Sequence, residues 1–124
     1  MNEAIRGVVV CHGRMAAALI EAAEGITGVK DALVPVSNTD CDRGTLEQRI
    51  LDAVGVGPAI VFVDLASGSC LIATLARLRG RSDVTVVTGV NLAMLVDFVF
   101  HRDQSPVAAA ERAVAAGCRA IKVP

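Results

Sequence analysis

The chain contains no tryptophan and no tyrosine, and only three phenylalanines among 124 residues, so it has few aromatic faces on which single-stranded bases could stack. Its formal net charge is −1 and it has no basic tract, so it offers no electrostatic footprint for a phosphate backbone. Nucleic acid is thereby excluded as a partner. The cysteines at 11, 41, 70 and 118 include no C-x-x-C pair, which argues against a zinc ribbon or a thioredoxin-like redox motif. The opening MNEAIRG runs directly into a strand pattern with no signal peptide, and a reduced, cytoplasmic protein is expected. No uninterrupted apolar run reaches membrane length. Residues 56–76 come nearest, but Pro58, Asp64 and the Ser67-Gly68-Ser69 turn break them into a buried strand and a helix. There is no P-loop, so ATP is not implied.

What remains is rich in alanine and valine. Hydrophobic residues make up 53% of the chain and mean hydropathy is +0.55, which rules out disorder. The length suits one domain, residues 1–124, with one core. Aliphatic runs at residues 5–11, 32–36, 59–64 and 84–87 read as strands, and residues 120–123 as a short last one. Helical periodicity fills the gaps. The first helix covers residues 15–26 and ends near Gly28. The second takes Thr45 and Gln48 as a capping box and faces inward through Leu46, Ile50, Leu51 and Val54. The third covers residues 68–78, with Leu71, Ile72, Leu75 and Leu78 inward. The fourth is lined by Leu92, Leu95, Val96 and Val99, with Met94 and Phe98 as core or interface residues. Ser105-Pro106 caps a fifth that runs to residue 116. The order βαβαβαβααβ predicts an α/β fold, an open and mostly parallel sheet with helices on both faces. Ligands of such sheets bind at the carboxyl ends of the strands.

The residues with chemistry lie at those ends. His12 follows the first strand, Asp64 ends the third, and Asn91 follows the fourth. If the first and third strands are neighbours, Asp64 holds one ring nitrogen of His12 and leaves the other as a free lone pair. Gly13 and the Gly68-Ser69 turn each lead into a helix whose first amides lack backbone partners and favour an anion. A nucleophilic histidine between anion-binding helix starts suits phosphoryl transfer. The softness of Cys11, His12, Asp64 and Cys70 would also suit zinc. Cys11, however, is the last residue in its strand and points away from His12, so neither a metal nor any other cofactor is expected. His101, beside Arg102 and Asp103, reads as a solvated cation at a helix end. Asp40 and Asp42 read as turn formers.

Taken together, 8-VVVCHG-13, 63-VDLASGS-69 and 89-GVNLAML-95 resemble the enzyme IIA domain of the mannose family of the bacterial sugar phosphotransferase system, along nearly the whole chain and in family order. The resemblance implies a sheet of order 2-1-3-4, with a C-terminal antiparallel strand exchanged in a homodimer. It implies a phosphohistidine that accepts from phospho-HPr and donates to a IIB partner, with no membrane insertion but peripheral association through transporter subunits. His12 matches the phosphorylated histidine, Asp64 the carboxylate that orients it, and Ser69 the serine near the phosphoryl group; Asn91 and Leu92 fall on the loop beside the site. The family usually has prolines where this chain has Cys70 and Ala93. A regulatory phosphorelay module, or the phosphotransfer subunit for dihydroxyacetone phosphorylation, would be the alternative roles.

Overall fold

Alternation along the aliphatic strands splits the core into two layers. In the computed structural model, which describes residues 4–124, β1 (Arg6–Cys11), β2 (Leu33–Ser37), β3 (Ala59–Val63) and β4 (Val84–Thr88) form one all-parallel sheet of order β2-β1-β3-β4. Residues 1–3, the start of the stretch read as free of a signal peptide, lie outside the described residues. Val9, Cys11, Ile60 and Phe62 face one layer, with α1 (Met15–Thr27), α4 (Leu92–Val99) and α5 (Pro106–Arg119). Val8, Val10, Val61 and Val63 face the other, with α2 (Arg43–Val54) and α3 (Ser69–Leu78). Val8, Val9 and Val10 are each 0% exposed, and burying a side chain of this size contributes roughly 1.5 to 3 kcal/mol. Phe62 meets Phe98 edge-on, with ring centroids 5.3 Å apart, an arrangement favoured by the aromatic quadrupole.

The fold class and strand order are as expected, and three local expectations change. The cap of α2 is Asp42, whose carboxylate accepts from the Thr45 amide at 2.8 Å, while Gln48 bonds Asp52 instead of reaching back. Aspartate in extended conformation just before the first turn forms the cap and leaves Thr45 inside the helix. The sheet-facing side of α3 is Cys70, Ala73, Thr74 and Leu78; Leu71 and Leu75 are only half-buried and Ile72 is exposed. Small residues let the helix lie close to the sheet, so the leucine pattern misreads its angle. The last helix runs to Arg119, and residues 120–123 form no strand within the single chain. A strand needs a neighbour to bond, and this tail is left with Ile121 and Val123 exposed.

Residues 56–76 resolve into the end of one loop, β3, the turn before α3 and most of α3. No helix among the described residues is long and apolar enough to cross a membrane. Between α4 and α5, Gly117 permits a close approach: a Cβ there would lie 2.6 Å from Met94 Cγ. The same contact lets Asn91 Nδ2 donate to the Gly117 carbonyl at 3.3 Å.

Candidate functional site

Parallel pairing of β1 with β3, in a register that sets Val10 opposite Val63, brings the residues that follow each strand together. The His12 amide donates to Asp64 Oδ2 at 2.9 Å, and His12 Nδ1 lies 2.8 Å from the same oxygen. Asp64 Oδ1 accepts from the Leu65 amide at 2.9 Å. Burial pushes the Asp64 carboxyl up, but the bonds from the backbone and ring of His12, together with that from Leu65, outweigh it and hold the group below its ordinary value. An ionised carboxylate only accepts, so Nδ1 carries the proton and Nε2 presents its lone pair. The Asp64 side chain is 7% exposed and that of His12 42%: the carboxylate is a fixed, buried anchor and the ring reaches solvent.

Both turns that hold these residues need glycine. Gly13 has φ 60° and Gly68 φ 89°, a backbone region that side chains disfavour. After Gly13, α1 begins at Arg14 with no side-chain cap; after Gly68, α3 likewise begins with none. Ser69, the first residue of α3, is exposed. Asn91 is committed to the fold at both ends of its amide. Its Oδ1 caps α4 by accepting from the Met94 amide at 3.1 Å, and its Nδ2 bonds Gly117. Leu92 packs half-buried against the α1/α4/α5 layer.

The structure adds residues that the sequence reading passed over. Asn38 Oδ1 accepts from the Gly13 amide at 3.1 Å, and Ser37 Oγ donates to the Gly13 carbonyl at 2.6 Å, so the loop after β2 grips the histidine turn from the other side. Their signal was position alone, at the carboxyl end of a strand paired with β1. Cys11 ends its strand in the α1/α4/α5 layer, while Cys70 belongs to the opposite one. Cys70, by contrast, puts its Sγ 3.8 Å from His12 Nδ1. His12, Asp64 and Cys70 each offer a ligand atom, all within 4.8 Å of one another. Burial, with Asp64 adding to it, pushes the Cys70 thiol up to about 11. His101, expected in solvent, is half-buried with Nδ1 2.7 Å from the Asp97 carbonyl. A surface hollow of ≈ 580 Å³ is lined by Ile26, Leu92, Ala93, Val96, Phe100 and others and includes neither His12 nor Asp64.

A family model described as PTS system fructose IIA component, EIIA-man, matches residues 7–115. Among solved structures, a phosphotransferase system component EIIA from Streptococcus agalactiae is 19% identical over 96% of both chains, with a TM-score of 0.88. A mannose/sorbose-specific IIA subunit from Enterococcus faecalis is 23% identical over 98% of this chain and 96% of that one, with a TM-score of 0.82. A sigma-54 interaction domain protein from Enterococcus faecalis, 11% identical over 97% of this chain and 95% of that one, superposes with a TM-score of 0.76. At such identities these likenesses are of fold. No curated protein matches the chain.

Proposed function

The chain belongs to the EIIA-man family of phosphotransferase-system (PTS) IIA components, and on that premise we propose that His12 is its phosphoryl carrier, loaded by phospho-HPr and discharged to a IIB protein. The observation that carries this reading is the 2.8 Å contact between His12 Nδ1 and Asp64 Oδ2, which leaves Nε2 as the exposed nucleophile. In the transfer, the Nε2 lone pair forms the new N–P bond while the P–N bond of the donor phosphohistidine breaks and its electron pair returns to the donor. The proton on Nδ1 stays, and Asp64 balances the positive ring that results. Asn38 takes the Gly13 amide, but the amides that follow it into α1 and those opening α3 have no side-chain cap and support an anion here without lysine or metal. Gly13, Gly68 and Ser69 form those starts, and Asn91 and Leu92 hold the third loop beside them. Transfer of this kind asks the protein for position and charge balance more than for covalent chemistry.

The same reading implies a cytoplasmic location and a homodimer in which the apolar tail at residues 120–123 pairs with the partner's sheet. Ile121 and Val123 stand exposed, and β4 is a sheet edge flanked by a groove of Val86, Val107, Ala110 and Val114. Such an exchange would cover both. The fold shared with a sigma-54 interaction domain protein carries a second reading, a regulatory module whose phosphorylation state controls another protein.

Incubation with phosphoenolpyruvate, enzyme I and HPr, followed by intact mass, tests the reading. One phosphoryl group, labile to acid and stable to alkali, is expected on wild type and on His101→Ala and is absent from His12→Ala. Phosphate on His12→Ala would overturn the assignment. A charged protein that discharges to no IIB protein would favour the regulatory reading.

A further inference from the structure

The same corner of the molecule holds a second chemistry. Cys70 Sγ, Asp64 Oδ2 and His12 Nδ1 come from three separate segments, the first turn of α3 and the residues just after β3 and β1, and converge at the carboxyl end of the sheet. The separations are 2.8 Å from Nδ1 to Oδ2 and 3.8 Å from Sγ to Nδ1. Ligands around a tetrahedral zinc-type ion, at bonds of about 2.0 to 2.3 Å, stand roughly 3.3 to 3.6 Å apart. The third separation, Sγ to Oδ2, is within 4.8 Å, so side-chain rotations on the order of 1 Å bring the three atoms to that spacing. We propose that His12 Nδ1, Asp64 Oδ2 and Cys70 Sγ form a site for a zinc-like divalent cation, and that its occupation shuts off phosphoryl acceptance at His12.

The proton accounting says why the two states exclude each other. In the free protein, Nδ1 and Oδ2 share one proton. A cation bound to Nδ1 takes the place of that proton, which moves to Nε2, and the nitrogen that would attack phosphorus becomes a donor with no lone pair. The thiol gives up its own proton to the solvent. A divalent ion against one thiolate and one carboxylate leaves the ligand set neutral, and the thiolate gains from its position in the first turn of α3. With three protein ligands and a half-exposed histidine, a fourth ligand would come from water. Because binding releases the thiol's proton, affinity falls as pH falls.

The metal site stands without the phosphoryl reading; its inhibitory consequence rests on it. Cobalt(II) titration of the full chain reads the site directly, through the thiolate-to-cobalt charge-transfer absorption in the near ultraviolet. Wild type and Cys118→Ser, whose altered residue is exposed, should develop the band with one ion per chain, and zinc should bleach it by displacement. Cys70→Ser should lose it with its circular dichroism spectrum intact. His12→Ala, which leaves the buried core untouched, should weaken binding by at least about tenfold. Absence of the band in wild type, or its survival in Cys70→Ser, overturns the site. The consequence is read with purified phospho-HPr freed of enzyme I. Zinc should stop the mass gain in wild type and leave Cys70→Ser accepting as well as it does without zinc. Equal acceptance by wild type with and without zinc overturns the inhibitory role. Phosphate on His12→Ala would instead sink the carrier assignment, with the cobalt result unaffected.

Discussion

The five helices among the described residues begin in two different ways. Those of α2, α4 and α5 are closed by side chains, with Asp42, Asn91 and Ser105 each accepting from an amide three residues on. Those of α1 and α3 carry no such cap, and these are the two helices that open from the turns of Gly13 and Gly68 around His12. A missing cap costs about 1 kcal/mol, so two bare starts on either side of one histidine are a concession in stability. The difference teaches where the fold leaves amides for something other than itself. Capped ends are finished as structure; on the carrier reading, the uncapped ends are left for an anion.

The sharpest way to break this comparison is at the anchor of the bare pair. Asp64→Asn keeps the shape and removes the charge that balances the ring, and phosphoryl transfer should slow by about a hundredfold, in line with the loss of a positioned and charge-balanced geometry. Rapid-quench transfer from phospho-HPr, with circular dichroism to show retained fold, checks it; an unchanged rate would break the pairing. Next is removal of residues 121–124, which should turn a micromolar dimer into a monomer in sedimentation velocity. A chain that is already monomeric when intact would refute the exchange.

On the capped side, Asn91→Ala removes both a cap and the bond to Gly117 and should lower unfolding free energy by about 2 kcal/mol. Asn91→Asp, which keeps the cap oxygen, should lose less. Ser105→Ala should cost about 1 kcal/mol in urea unfolding and leave the transfer rate alone, since its cap closes a helix remote from the histidine. The smallest effect is in pH. The folded Asp64 carboxyl lies below its ordinary value, so its contribution is fully present above the unfolded value of about 3.9 and is lost as pH falls through the folded one. Between pH 5 and 3, wild type should therefore lose more stability than Asp64→Asn; parallel curves would argue against the bonds to His12.

How much of this was legible depends on which interactions leave a mark in sequence. His12 and Asp64 each follow an aliphatic strand, and the alternation of strands and helices is enough for the fold class; the order β2-β1-β3-β4 that sets the two side by side is not fixed by alternation and was implied only by the resemblance. Asn38 and Ser37 could not, because Ser37-Asn38-Thr39-Asp40 has the composition of any turn, and its grip on Gly13 exists only once β2 lies beside β1. Cys70 was weighed with Cys11 as one soft cluster; strand alternation separates the two thiols, while the close-packed small face of α3 swings Cys70 in. That face escaped the leucine pattern because hydrophobicity ranks Leu71 and Ile72 above Cys70 and Ala73, whereas the turn at Gly68 decides which residues meet the sheet.

The bond between His12 and Asp64 spans 52 positions of sequence. During synthesis the histidine leaves the ribosome well before its carboxylate, and until β3 has docked on β1 nothing selects the ring tautomer that exposes Nε2. An unfinished or misassembled chain, on the carrier reading, therefore carries the acceptor residue but not the acceptor. On the carrier reading, charge would flow only to completed sheets, and a cell filled with nascent copies would not drain its phosphoryl donor.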